Sequence, residues 1–525
     1  MMRKFYFLLL FFFLFSTAKS QNYYACGEQS GVWNYDTVFV HCNVLIPAGS
    51  QLEIAPGTQV LFTGHYSMFV EGVLKAIGQA GDTICFASAD TTGFSDIHST
   101  SGGWNGIRFE NTAETSDSSL FAYCKFSYGK AVGDSLNCFG GAIRLRNFGK
   151  VSIRHSHIHH NYSFYWGGGL YAYKSNILVE NSIISGNYAG NDGMVYGYGG
   201  GLCFVACDPI VQKNHFYGNS STGVGGAASF EYSKPLVLDC YIHDNYSALG
   251  GGLCFLRSDP DQPVANLMIV NNEALFFGGG IANLTATTVM SNATIAYNHA
   301  SMGGGYYCND YAHAKLFNSI LWGNTSDSQT GTQVWIWDVY SQPGFYHCLV
   351  EGGLLFFGGS PFSGEYIGNI ENDPLFEGNG SYSLLPGSPA INAGMNDIGF
   401  FALPDTDFLG NNRLMYGTVD IGAIEYQGYT DVKAFENQNK KIRIVPNPAN
   451  PNSVILFNAK SGGQHRIRLF AAGGKLISEK LITANVGVNQ LAMHILLPDV
   501  FSVKGLCLLT ICSEDEQFTE KFILQ

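Results

Sequence analysis

Between residues 140 and 324 the chain repeats one phrase seven times: a glycine cluster, then, about twenty residues on, an apolar residue three places before an asparagine. The clusters begin at Gly140, Gly167, Gly199, Gly225, Gly250, Gly278 and Gly303. The asparagines are Asn161, Asn187, Asn219, Asn245, Asn272, Asn298 and Asn324, spaced 26, 32, 26, 27, 26 and 26 residues apart. A fixed period of this size builds stacked, self-similar coils rather than one compact core.

The residue three before each asparagine is Ile158, Ile184, Phe216, Ile242, Ile269, Ile295 or Leu321. The residue four before is a looser set: His157, Ile183, His215, Tyr241, Met268, Thr294 and Ile320. A strict apolar slot beside a loose one fits a strand with one face buried and one free. A coil of this length has room for three short strands and three bends. Stacking in register turns the apolar slot into an interior column and the asparagines into a ladder of bonded side-chain amides. The glycine runs permit close backbone approach between coils. Ten to twelve coils are expected.

Charged residues make up only 13% of the chain and hydrophobic residues 46%, the balance of a packed β protein. The net charge of −13 argues against nucleic acid or an anionic membrane as the main partner. At the N-terminus, Arg3 and Lys4 precede the apolar run Phe5 to Phe15, and Ala18-Lys19-Ser20 follows. This reads as a secretory signal over residues 1–20, cleaved between Ser20 and Gln21. Eleven apolar residues are too few to span a bilayer. No integral membrane segment is expected. Export allows a disulfide, for which Cys26 and Cys42 are the candidates. Cys203 and Cys254 share one slot in two repeats, as buried thiols or as a bonded pair.

The early phrases Leu52-Glu53-Ile54-Ala55-Pro56-Gly57 and Trp104-Asn105-Gly106-Ile107 resemble the opening coils of right-handed parallel β-helix proteins of the pectate-lyase-like superfamily. Gly140-Gly141-Ala142-Ile143 and Phe216-Tyr217-Gly218-Asn219 resemble the GGAI and FxxN repeats of chlamydial polymorphic outer-membrane proteins. The block 373–426, with Ser388-Pro389-Ala390-Ile391-Asn392-Ala393-Gly394 and Val419-Asp420-Ile421-Gly422-Ala423, resembles the C-terminal cap of the extracellular group called choice-of-anchor Q. That resemblance implies a lid over the open end of the last coil.

Residues 427–441 are polar and read as a linker, and 442–525 follow as strand-like runs suited to a small β-sandwich. Pro446-Asn447-Pro448, the Gly473-Gly474-Lys475 turn, Gly505 and the closing Lys521-Phe522-Ile523 resemble the type A sorting domain of the Bacteroidetes type IX secretion system. Where that family has Gly-x-Tyr, this chain has Gly505-Leu506-Cys507. The expected architecture is therefore all-β: a right-handed parallel β-helix over 21–426 and a small C-terminal β-sandwich. The resemblance implies the type IX secretion machinery as a partner and a secreted or cell-surface location.

The basic cluster Arg144, Arg146, Arg154, His155, His157, His159 and His160 is the sharpest enzymatic candidate, because lyases on such folds use a basic residue to take a sugar proton. The strands after the glycine clusters, such as Leu202-Cys203-Phe204-Val205 and Ala227-Ala228-Ser229-Phe230, carry no acid in this reading. No catalytic residue and no cofactor is assigned. Calcium is weighed only at Asp259-Pro260-Asp261 and Asp405-Thr406-Asp407, where solvated turns are the simpler account.

The aromatic residues point elsewhere. Tyr162, Phe164, Tyr165, Trp166, Tyr171 and Tyr173 cluster near the repeats, followed by Tyr188, Tyr196 and Tyr198, and Trp335, Trp337 and Tyr340 form a second group. Flat rings with a polar edge suit sugars and protein partners, or else stack as columns inside the solenoid. The expectation is an adhesin-like module whose long face binds a glycan or a cell-surface partner. The competing class is a polysaccharide lyase or glycoside hydrolase on the same fold.

Overall fold

The structure is a computed structural model and describes residues 20–192, 197–259, 262–328, 330–415, 417–427, 442–445, 449, 453–472, 474–493, 496, 505–513 and 517–524. The side chains of residues 20, 21, 135 and 136 are not among those described.

The repeats coil into a parallel β-helix. One coil runs Leu170–Tyr173, Ile177–Glu180, Ile183–Ser185 and Tyr188–Ala189, and each strand pairs in parallel with its counterpart a coil away. The expectation of three strands per coil thus falls short by one. The fourth is a two-residue strand after the ladder asparagine, too short to leave a periodic mark in the sequence.

Strands following the glycines form a glycine-side sheet, and strands preceding the asparagines form an asparagine-side sheet. The long strand Tyr35–Ile46 pairs with Gln59–Phe62 and with Met68–Val70, joining the two sheets at their N-terminal end. The third sheet lies between them in chain order and has 13 described strands, from Gly31–Trp33 to Tyr366–Ile367. Its stack is roughly 60 Å long. The count exceeds the expected ten to twelve because the irregular coils before residue 140 and after residue 324 pair as regularly as the repeats.

Inside, the apolar slot from Ile158 to Leu321 is fully buried. Phe204, Phe230 and Phe255 stack in the facing column with centroids 5.4 and 5.2 Å apart. The interior rings here are phenylalanines, with no hydroxyl to satisfy.

The asparagines run beside this core. Nδ2 of Asn161, Asn187, Asn219 and Asn245 each donates to Oδ1 of the next asparagine at 2.9 Å. Asn272 and Asn298 continue the ladder at 3.0 Å, and Asn324 passes it to Gln333 Oε1 at 2.7 Å. The 32-residue interval before Asn219 is six residues longer than the 26-residue intervals on either side, and the ladder passes it unbroken.

A second polar ladder escaped the sequence reading. Ser175 Oγ, Cys207 Sγ, Ser233 Oγ and Ser258 Oγ each accept the backbone N–H of the preceding member or of Phe148, at 3.1–3.3 Å. Cys207 stands in for serine there, so its thiol is structural. Cys26 and Cys42 are joined by a disulfide. Cys203 and Cys254 are free and buried with Ser229 between them in register, so they lie two coils apart, beyond the reach of a disulfide.

The glycine clusters sit where coils touch. Gly250 has φ +67°, and a Cβ on Gly251 would lie 2.3 Å from Glu273 O and 2.5 Å from Gly279 O. Gly251→Ala is expected to cost about 2–3 kcal/mol by forcing two coils apart. Thermal unfolding checks this against Gly462→Ala, where no atom lies closer than 3.6 Å and little change is expected.

The block expected to lid the last coil lies along the flank instead. The end of the solenoid is covered by Phe357, Phe362 and Tyr366, which pack on the core beside Phe345. Residues 384–426 run back as a strap over the asparagine-side sheet. Ile391 and Ile421 cover Ile320 and Leu349, while Ala423 and Ile424 cover Met268 and Ala296. This explains the loose slot. Ile183 is 38% exposed, whereas Met268, Thr294 and Ile320, its counterparts under the strap, are at most 2% exposed.

The described residues between 442 and 524 form two antiparallel sheets of three and four described strands around their own core, which includes Ile444, Phe457, Leu469, Ile511 and Phe522.

Candidate ligand-binding face

On the glycine-side sheet, alternate residues point outward and stack in register. One outward column reads Arg108, Arg144, Tyr171, Cys203, Ser229 and Cys254, and the next reads Arg146, Tyr173, Val205, Glu231 and Leu256. The residue before each glycine cluster lies along the margin as Phe139, Trp166, Tyr198 and Val224, each bridged to the next.

This register gathers Trp166, Tyr171, Tyr173 and Tyr198, with Tyr165 beside them; of the second group, Trp335 lies farther along the same sheet and Tyr340 stacks on Tyr311. Trp166 stacks on Tyr198 with centroids 5.0 Å apart and planes 13° from parallel. Phe139 lies 5.1 Å from Tyr171, 5.3 Å from Trp166 and 5.9 Å from Tyr165. Tyr171 is buried as the floor, while Tyr165, Trp166 and Tyr173 are half-buried. Phe139 is the member the sequence did not single out. Its signal was the place immediately before a glycine cluster, which it shares with Trp166 and Tyr198.

Charged groups edge the rings. The Arg146 guanidinium lies 5.8 Å and Lys174 Nζ 5.3 Å from the Tyr173 ring centre. Arg144 is buried against Glu110 as an ion pair, and burial pulls it down to about 10. Arg108 donates to Phe139 O, Gly140 O and Asn105 Oδ1, tying down the turn that carries Phe139. The strand taken as acid-free ends one residue later than expected, at Glu231. Burial raises that carboxyl, opposed by Arg257 at 3.4 Å.

Glu110 and Glu231 belong to rungs four steps apart, so roughly 19 Å separates their strands. Paired glycosidase carboxyls stand about 5–9.5 Å apart. The arrangement offers stacking surface with polar edges, not an acid–base pair.

The basic cluster seen in the sequence is divided among three sheets. Arg144 and Arg146 lie on the glycine-side sheet. Arg154 ends a third-sheet strand, 3.6 Å from Glu180, and His155 stacks on Tyr123 in the following bend. His157 and His159 face outward on the asparagine-side sheet, with His160 just beyond. Burial, with neighbouring positive groups, holds His157 down to about 4 and His159 to about 3, so both rings are neutral at pH 7.

Among the described residues, no three His, Cys, Asp or Glu side chains converge to hold a metal ion. Asp407 is occupied by the backbone N–H groups of Leu409, Asn411 and Glu425. Asp259 accepts from Thr287, while Pro260 and Asp261 lie outside the described residues. No described helix is long and apolar enough to cross a membrane. Ser20 opens the first strand, and residues 1–19 lie outside the described residues. So do Pro446, Asn447, Pro448 and Gly473, whereas Gly505 opens a strand of the C-terminal domain.

A family profile described as "Right handed beta helix region" matches residues 82–274. No curated protein matches the chain. Similar solved structures include the Dettilon tailspike protein (gp208), at 12% identity and TM-score 0.31, covering 63% of this chain and 61% of that one. Another is the enzymatically active domain of bacteriophage CBA120 tailspike protein 4, at 10% identity and TM-score 0.20, covering 85% of this chain and 59% of that one. The chain therefore spans about three-fifths of each.

Proposed function

We propose that this right-handed β-helix is an adhesin-like binding module that holds an extended glycan against its glycine-side sheet. The observation that carries the reading is the stacked pair Trp166–Tyr198, set among Phe139, Tyr165 and Tyr173 on a rigid sheet. Aromatic faces take the apolar face of a sugar, and Arg146, Lys174, Glu231 and Arg257 can take its hydroxyl groups. A parallel sheet fixes these groups in advance, so little ordering cost falls on binding.

In this reading the protein is exported through the type IX secretion system, with residues 442–525 as its address. The support is the resemblance of the phrases around Pro446, Gly473 and Gly505 to that sorting domain. The C-terminal mass of protein recovered from cells tests it, since loss of the residues after about 430 is expected.

The binding claim is tested on a glycan array with the full chain. Trp166→Ala and Tyr173→Ala should each weaken binding of the selected glycan about 10–30-fold, the range of a central aromatic anchor. Unchanged affinity in both variants would overturn the claim. Release of unsaturated or reducing ends from that glycan would favour the lyase or hydrolase class instead.

A further inference from the structure

The asparagine-side sheet carries a different chemistry, independent of the aromatic face. Its two outward columns read Lys125, His157, Ile183, His215 and Tyr241, and Ser127, His159, Ser185, Tyr217 and His243. Two of these histidines are aimed at each other. His215 Nε2 and His243 Nε2 face across 2.6 Å. On its far side, His243 Nδ1 meets Asp244 Oδ2 at 2.6 Å.

A carboxylate only accepts, so Asp244 assigns the proton to Nδ1 and leaves the Nε2 lone pair of a neutral His243 pointing at His215. Carboxylates hold metal-binding imidazoles in the same way. Stacking fixes both rings: His215 lies on Tyr241 at 5.0 Å and 13°, and His243 on Tyr217 at 5.5 Å and 9°. The 2.6 Å contact is then an N–H···N hydrogen bond that His215 Nε2 donates, and a metal ion would take the place of that proton, which moves to Nδ1 of His215.

We propose that His215 and His243 form a two-imidazole site for a divalent transition-metal ion of the copper, nickel or zinc kind. Two nitrogens at ordinary bond lengths of ~2.0–2.1 Å from one ion stand roughly 3 Å apart, so the rings need part by only a few tenths of an ångström. His215 also lines a cleft of about 410 Å³ where the strap crosses the sheet, with Lys213, Asp239, Tyr241 and Asp407, whereas His243 is not part of that lining. Water or an outside ligand completes the coordination of the ion. The pair His159 and His160 provides an internal contrast. Their Nδ1 atoms lie 2.9 Å apart, but the rings stand edge to face at 89°.

The test is titration of the full chain with copper(II), zinc(II) and nickel(II) by calorimetry, with electron paramagnetic resonance on the copper form. Saturation near about one ion per chain, with two nitrogen ligands in the spectrum, is expected. His243→Ala and His215→Ala should abolish that site. Asp244→Asn should weaken it about 10-fold or more while leaving far-ultraviolet circular dichroism unchanged. His159→Ala should have no effect. Unaltered binding in His243→Ala, or binding lost in His159→Ala, would overturn the assignment.

Discussion

Asn219→Ala should destabilise the solenoid by about 4 kcal/mol, and the damage should be local to the middle of the stack. Asn219 is fully buried. Its Oδ1 accepts both Asn187 N–H at 3.2 Å and Asn187 Nδ2 at 2.9 Å, and its Nδ2 donates to Ile184 O at 2.8 Å and Asn245 Oδ1 at 2.9 Å. Alanine strands two donors and a carbonyl where water does not reach. Each such group costs about 1–3 kcal/mol, partly relieved by relaxation. Because each coil rests only on its neighbours, a weakened rung divides the stack instead of unfolding it uniformly. Limited proteolysis should therefore cut near residues 187–219 and release two resistant pieces. Asn219→Asp tests the cause, since it keeps the shape and the acceptor but loses the donor, and it should be no better than alanine. A melting temperature within about 2 °C of the parent for both variants would sink the ladder as a source of stability.

How much of this was legible follows from what periodicity encodes. The slot Ile158 to Leu321 and the asparagines repeat because every coil needs them, so the stack could be read from the sequence alone. The second ladder was not legible, because Ser175, Cys207 and Ser233 answer the same need with different residue types. The strap was misplaced for a related reason. Its contacts to Asn266, Thr294 and Asn318 join residues that lie far apart in the chain, and no local pattern announces them. The variation from Ile183 to Met268 and Thr294 was the available clue, though a loose slot reads equally as an exposed one. The aromatic face was half visible. Trp166 and Tyr171 are near in sequence, but Tyr198 reaches Trp166 only through the register of the coils.

Arg413→Ala should release the strap, with a defect that deepens as pH rises. Arg413 is buried and donates to Asn266 Oδ1 at 2.6 Å and Ala423 O at 2.8 Å, with Glu425 at 3.6 Å. Asp420 and Glu425 are buried beside it, and burial raises both carboxyls, Glu425 also through the charge of Asp420. A raised carboxyl binds its proton more tightly in the folded strap than in the released one. The strap is therefore most secure below the ordinary carboxylate range and loses stability as pH climbs toward about 8. Arg413 limits that loss by pairing with the charge that develops. Without it, a buried carboxylate stands uncompensated, a change that costs about 3–5 kcal/mol. Proteolysis within 385–427 should accelerate in the variant far more at pH 8 than at pH 5. Release should uncover Met268 and Ile320, raising the binding of a hydrophobic dye. Arg413→Met restores volume without charge, so it should protect at pH 5 and fail at pH 8. Equal cleavage of parent and variants at pH 8 would show that the strap is held by its apolar contacts alone.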